Sequence, residues 1–162
     1  MSDFYEVAQI CVNGHVITDS LNSNPEVGRD FCEDCGSPTI MECEYCESSI
    51  RGYHHIEGVI GFFPDFKRPS FCPDCGKPYP WTESKIIAAH ELAEEMENLS
   101  SEDRELLSKS IDDLIVDSPR TELAATRFKK LLLKIGEPAA IALRNLVIDI
   151  ASETAKKLVL GG

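Results

Sequence analysis

The stretch "FCPDCGKPYPW" (Phe71 to Trp81) sets the architecture of the first half of this chain. Two cysteines three positions apart, followed by a glycine, form a tight turn whose two thiolates can hold one edge of a tetrahedral metal site. An upstream copy, "FCEDCGSP", occupies residues 31–38. The repetition indicates a metal-binding turn, and each such turn needs a second pair of ligands from elsewhere in the chain.

Those further pairs lie in the same half of the sequence. With the stretch "CVNGH" and a third Cys-x-x-Cys turn there are four pairs of ligands, which make two sets of four. These sets use all seven cysteines of the sequence. Sites with four protein ligands are structural, so we predict two structural zinc ions, with iron in the all-cysteine site as the open alternative. The predicted metal ligands are Cys11, His15, Cys32, Cys35, Cys43, Cys46, Cys72 and Cys75.

Two ways of combining the pairs are open. Sequential pairing joins the first pair to the second and the third to the fourth, which gives tandem zinc ribbons. Interleaved pairing gives the cross-brace of a RING-like domain. Seven residues separate Cys35 from Cys43, whereas the second and third pairs of RING domains nearly touch. Sequential pairing is favoured, because it closes shorter loops and therefore costs less entropy.

Composition narrows the classes of function. The net charge is −12, and the metal-binding half is the more acidic one. Such a surface repels nucleic acid, so we expect none as a partner. The odd cysteine count and the lack of a basic-then-apolar leader argue against a disulfide-bonded secreted protein. No apolar run is long enough to span a membrane, and we expect a cytoplasmic location.

The chain changes character near Trp81. Before it, short apolar or alternating stretches are separated by Gly, Pro, Asn and Asp, which is typical of short strands and tight turns. After it, apolar residues recur with helical spacing. We therefore predict the α+β class, with a tandem zinc-ribbon module over residues 1–81 and an all-α module of four helices over residues 82–162.

Capping signals place the helices of the second half, the first of which is predicted over residues 83–98. The third has a clean apolar stripe, whereas the fourth is apolar nearly all round and is either buried or shared with a partner. We expect a protein partner or a homo-oligomer through the helices of residues 82–162. The signals are Ser100 with Asp103 for the second helix, Ser118 with Pro119 for the third, Gly136 for its end, and Pro138 for the start of the fourth.

Two groups of residues have both a structural and a functional interpretation. His54 and His55 are either strand residues, one on each face, or a catalytic base and a substitute zinc ligand. Lys67 and Arg68, among four phenylalanines of residues 61–71, either pack in the module or stack on single-stranded nucleic acid. His90 is expected to be an ordinary, partly buried helix residue. No nucleophile motif, phosphate loop or open metal triad supports an enzyme.

Taken together, "CVNGH", "FCEDCG", "CEYC" and "FCPDCGKPYPWTE", followed by "SPRTELAATRFKKLL" and "IASETAKKL", resemble a family of uncharacterised bacterial proteins with a zinc-ribbon domain. The resemblance runs over most of the chain and implies a fold and zinc, but no activity. The helical part also resembles segments attached to other bacterial proteins, some of them in phage-defence or toxin-related operons.

We therefore expect a non-enzymatic zinc-binding adaptor or scaffold that mediates protein–protein interaction or self-association in a bacterial cytoplasm. A single-stranded nucleic-acid-binding zinc ribbon and a cross-brace, ligase-type domain are the alternatives. The chain closes with "VLGG", which is similar to the diglycine ends of ubiquitin-like modifiers. No β-grasp pattern precedes it, so helix termination by glycine is the favoured interpretation.

Overall fold

The computed structural model describes residues 2–59 and 65–161 and divides the chain into two compact units, Met1–Glu83 and Ser84–Gly162. The first unit holds short strands and turns, and the second holds helices. This arrangement confirms the predicted α+β class. The last residue of the "VLGG" ending lies outside the described residues.

In the described part of the first unit, five short strands form two antiparallel sheets. One sheet pairs β1 with β5, and the other has the order β3–β2–β4. Three isolated bridges, such as Phe71 with Pro78, mark the stems of the three Cys-x-x-Cys turns. The strands are β1 (Phe4–Val7), β2 (Gln9–Cys11), β3 (Val16–Thr18), β4 (Thr39–Ile40) and β5 (Arg51–His55).

The core of the first unit is small and includes two of the predicted metal ligands. Trp81 and Tyr79 stack with ring centroids 4.9 Å apart, and both side chains are buried. They share one apolar cluster with Cys43 and Cys72, together with Ala8, Ile10 and Ile50. So small a cluster of described residues supplies little hydrophobic stabilisation, and small domains commonly need additional stabilisation, such as bound metal ions.

Five helices lie in the described part of the second half, rather than the four that we predicted. The helix that was predicted over residues 83–98 begins earlier, at Pro80. The predicted fourth helix ends at Ile150, because the Ser152 hydroxyl accepts the Ala155 backbone N–H and begins a further helix. The helices are α1 (Pro80–Glu94), α2 (Ser101–Ile115), α3 (Thr121–Ile135), α4 (Ala139–Ile150) and α5 (Glu153–Leu160).

The helix caps follow the sequence signals with one exception. The Ser100 side chain accepts the Asp103 backbone N–H, which confirms the predicted N-cap of α2. Gly136 caps α3 with a φ of 78°, also as predicted. The predicted start of α3 at Ser118 is wrong. The residues from Ser118 form a turn that is closed by the hydrogen bond from the Thr121 N–H to the Ser118 carbonyl, so the helix begins at Thr121.

The helices of the second unit enclose one apolar core. Phe128 of α3 is fully buried, and the same cluster contains Leu107, Ile111 and Leu143 from other helices. Most of the wide apolar surface of α4 packs in this core, since Ala140, Leu143, Val147 and Ile150 are buried. No helix in the described residues is both long and apolar enough to cross a membrane.

Candidate metal centres

The first cluster consists of Cys11, His15, Cys32 and Cys35, whose ligand atoms all lie within 4.8 Å of one another. Cys11 Sγ is 3.4 Å from His15 Nδ1 and 3.8 Å from Cys35 Sγ. Two sulfurs bound to one tetrahedral zinc lie about 3.8 Å apart, and a sulfur and a nitrogen about 3.5 Å apart. The distances therefore fit a zinc site in which His15 binds through Nδ1.

The second cluster consists of Cys43, Cys46, Cys72 and Cys75, again within 4.8 Å of one another. Cys43 Sγ lies 3.7 Å from Cys75 Sγ, and Cys46 Sγ lies 3.6 Å from Cys72 Sγ. These separations are far longer than a disulfide bond, and all seven cysteines are free thiols. Both clusters join the pairs sequentially, so the geometry is that of tandem ribbons and not of a cross-brace. They are compatible with two zinc ions.

The turns that carry the ligands share one hydrogen-bond pattern. In the turn that contains Cys72, the Cys72 N–H donates to the Lys77 carbonyl, and the Gly76 N–H donates back to the Cys72 carbonyl. Equivalent bonds form around Cys32 and Cys43. In each pair the first cysteine is buried and the second is exposed, so one sulfur is anchored in the protein while the other faces solvent.

Glu47 occupies the turn position that glycine holds in the other two copies. Its φ is 62°, against 73° for Gly36 and 76° for Gly76, so a residue with a side chain is held in the left-handed region. Such a residue costs about 1 kcal/mol relative to glycine. The Glu47 carboxylate is exposed, and the spacing of the cysteines gave no sign of this strain.

Replacing Glu47 with glycine is therefore expected to tighten zinc binding at the second cluster by about fivefold, the equivalent of about 1 kcal/mol. Competition with a zinc chelator measures the affinity. Gly76→Ala is the matched control and should weaken binding to a similar extent, since a Cβ there meets no atom within 4 Å and only the backbone conformation is affected. Equal affinities in all three proteins would contradict the assignment of strain.

Hydrogen bonds, desolvation and the neighbouring cysteine sulfurs shift the pKa values of the thiols. The Ser37 backbone N–H, the Ser37 hydroxyl and the Asn13 amide hold the pKa of Cys35 down to about 5. Cys75 differs: a backbone hydrogen bond from Lys77 lowers its pKa, but desolvation and the three neighbouring cysteine sulfurs outweigh it and raise the pKa to about 12. Four thiolates so close together repel one another, so a cation at their centre is needed to ionise them all.

Tyr79 is a neighbour of the second cluster that the sequence did not indicate. Its hydroxyl is buried and has no nitrogen or oxygen partner within the described ranges. Burial raises the pKa of Tyr79, and negative charge on the Cys72 sulfur raises it further. The phenol therefore stays protonated next to the cluster. There its O–H dipole stabilises negative charge on a nearby sulfur.

His54 and His55 lie in β5, as the strand interpretation predicted, and neither belongs to a metal cluster. Tyr5 stacks on His54, and Phe4 stacks on His55. His55 Nε2 lies 3.0 Å from the carboxylate of Glu6, which is buried and also accepts hydrogen bonds from the Ser23 hydroxyl and backbone N–H. These bonds, those from Ser23 foremost, lower the pKa of Glu6, so it is a buried carboxylate that ties β1 to its surroundings.

The segment considered for nucleic-acid stacking is only partly described. Residues 62 and 63, two of its four phenylalanines, lie outside the described ranges. Phe66 packs against the apolar cluster of the first unit. Arg68 Nη1 donates to the Gly14 carbonyl at 2.5 Å, and its guanidinium carbon lies 5.8 Å from the centroid of the Trp81 ring. Arg68 thus stabilises the turn that begins at Cys11. Because its guanidinium makes these contacts, the hypothesis that Arg68 stacks on nucleic-acid bases has less support.

The His90 side chain of α1 contacts two side chains of α2. Its Nε2 lies 2.7 Å from an Asp112 carboxylate oxygen, and its Nδ1 lies 3.3 Å from the Ser108 hydroxyl. The residue types are those of a nucleophilic triad. However, Ser108 and Asp112 sit within α2, where backbone N–H groups bond to carbonyls one turn back and cannot form an oxyanion hole. The contact is therefore a link between helices, as expected of a partly buried histidine.

The surface around the metal-binding turns is acidic and carries exposed aromatic side chains. Phe31 and Tyr45 are 64% and 55% exposed. Exposed carboxylates alternate with them along the turns, and with fully ionised cysteines the surface becomes more negative still. These carboxylates belong to Glu33, Asp34, Glu42, Glu44, Glu47 and Asp74.

Comparison with known proteins gives one match. A family model described as an uncharacterized protein conserved in bacteria (DUF2321) matches residues 4–159. No curated protein and no solved structure matches the chain. The matched range spans both structural units and confirms the resemblance to an uncharacterised bacterial family.

Proposed function

The chain belongs to the bacterial family DUF2321, and we propose that it is a non-enzymatic, zinc-stabilised adaptor. Two structural zinc ions hold its first unit rigid, and that unit binds a basic protein segment through its acidic, aromatic surface. The helical unit supplies a second surface for association.

The observation that carries the proposal is the ligand geometry of the two clusters. Each set offers four protein atoms at the spacing of a complete tetrahedron. Catalytic zinc sites keep a position open for water or substrate, whereas closed sites serve folding. Four thiolates or three thiolates and a histidine suit zinc in particular, because soft sulfur ligands select it over harder cations.

The surface chemistry supports the kind of partner. Phe31, Met41 and Tyr45 expose apolar area near the turns, Lys77 lies 5.9 Å from the Tyr45 ring, and exposed carboxylates surround these side chains. Exposed aromatic residues are typical anchors of protein interfaces. A negative rim steers a positively charged partner towards them and repels nucleic acid.

Native mass spectrometry of the protein, purified gently from its own host, tests both parts of the proposal. We expect two zinc ions per chain and a co-purifying protein. Cross-linking then identifies the contact segment, which should be rich in lysine or arginine. The double variant Glu42→Lys with Glu44→Lys should lose that protein and keep both zinc ions, because these carboxylates face solvent and are not ligands.

A matched control is Glu102→Lys with Glu105→Lys on the exposed side of α2, which makes the same change in net charge far from the turns in sequence. It should keep the partner. Fewer than two zinc ions per chain would refute the structural role of the clusters. A partner retained by the double variant at the turns would refute the docking surface.

A further inference from the structure

An apolar groove remains open where α3 turns into α4. Leu133, in the last turn of α3, is 85% exposed, and Ile141 of α4 is 40% exposed. Both line a groove of about 280 Å³ with Leu132. Ile141 is the large apolar side chain of α4 that the core leaves exposed, so the groove is the remainder of the wide apolar surface seen in the sequence.

Arg144 lines this groove with a hydrogen-bond donor that has no acceptor. Its Nε is buried from water, and no side chain or carbonyl among the described residues accepts its N–H. A buried donor without an acceptor loses its hydration and gains nothing in return. Nε itself is out of reach of a second molecule, but Arg144 as a whole is only half-buried, so its guanidinium places a positive charge on the wall of the groove.

Glu137 supplies a negative charge, but not to the Arg144 of its own chain. It lines the same groove just before α4, with an exposed carboxylate, and no ion pair joins it to Arg144. Along the chain the order is Glu137, Ile141 and Arg144, at intervals of four and three residues. The order is thus acid, apolar, base, with Glu137 just before α4 and with Arg144 about one helical turn after Ile141.

We propose that this groove binds a second copy of the same chain across a two-fold axis. A two-fold axis reverses the direction of α4, so Glu137 of each copy faces Arg144 of the other, while Ile141 and Leu133 pack close to the axis. Isologous interfaces need a patch of this self-complementary kind. The inference rests on the proposed adaptor function and deepens it, because it makes self-association the task of the helical unit.

Charge exchange on the full, zinc-loaded chain tests the pairing by sedimentation velocity over a series of concentrations. The unaltered chain, 18.0 kDa as a monomer, should reach twice that mass. Glu137→Arg or Arg144→Glu alone should raise the dimer dissociation constant at least about tenfold, because like charges then oppose each other. The double variant Glu137→Arg with Arg144→Glu should restore the dimer, since the pairs are reversed but complete.

Two further substitutions locate the contact. Leu133→Asp should weaken the dimer, whereas Leu123→Asp, at a 42% exposed position of the same helix that does not line the groove, should not. The proposal is overturned by a chain that stays monomeric at every concentration, by single charge changes without effect, or by a double variant that fails to dimerise while its helicity is intact. A monomer whose Arg144 binds an acidic segment of another protein would also overturn it.

Zinc content measured in the same samples separates the two proposals. A monomer that retains two zinc ions refutes self-association through the groove and leaves the adaptor function standing. A dimer with fewer zinc ions refutes the structural role of the clusters and leaves the groove as the interface.

Discussion

Cys72→Ser is expected to release one of two zinc ions per chain and to unfold the part of the first unit that surrounds the second cluster. Cys72 is both a candidate ligand and a buried member of the apolar core beside Trp81. Structural zinc contributes about 10 kcal/mol or more in small domains, which is as much as the entire stability of many proteins. The small core has nothing comparable to replace it.

Two signals separate this effect from general unfolding. The single tryptophan of the sequence, Trp81, is buried in the first unit, so its fluorescence should shift to the red as that core opens. Far-ultraviolet circular dichroism should remain largely helical. Asp74→Ala, an exposed position in the same turn, is the matched control and should keep two zinc ions. A Cys72→Ser protein with two bound zinc ions and unshifted fluorescence would show that the ligand set is wrong.

Phe128→Ala is expected to destabilise the helical unit by about 3–5 kcal/mol, because it removes a fully buried ring and leaves a large cavity in the apolar cluster described there. The loss should lower the urea midpoint of the circular dichroism signal. Zinc content and Trp81 fluorescence should not change, since the cluster that contains Phe128 includes no residue of the first unit. The experiment thus tests whether the two units unfold separately.

Leu123→Ala on the same helix serves as the control, because it removes an apolar side chain that is already 42% exposed. We expect a change of less than about 0.5 kcal/mol there. If Phe128→Ala instead released zinc and shifted the tryptophan emission at the same urea concentration, the two halves of the chain would form one cooperative unit.

The membership of the two four-residue clusters was predictable, because cysteine pairs of this kind are recognised from their spacing along the chain. Two cysteines three positions apart typically form a tight metal-binding turn. Because the eight candidate ligands make two complete sets of four, few assignments of the cysteines remain. Short loops then favoured the sequential pairing that the structure has. The caps at Ser100 and Gly136 were predictable for the same reason, since each acts on its own backbone within a few residues.

The features that were missed depend on contacts between distant residues. The break before α5 is fixed by the hydrogen bond from the Ser152 N–H to the Leu114 carbonyl, which no local pattern reveals. Arg68 reaches a carbonyl at Gly14, and the acceptor missing at Arg144 is visible only once the groove is formed. The strain at Glu47 is different, because it is local and has a sequence signal that was overlooked: Glu47 stands where the other two turns have the glycine that a positive φ favours.

The division of ligands between two sequential sets also orders the assembly of the nascent protein. All four ligands of the first set have left the ribosome once Cys35 has emerged, whereas the second set waits for Cys75 and its core waits for Trp81. With the zinc loading proposed above, the first ion can be captured while the second half of the chain is still being translated. An interleaved arrangement would have completed its first site only at Cys46, 11 residues after Cys35, so the tandem order gives the growing chain a metal-bound segment earlier in synthesis.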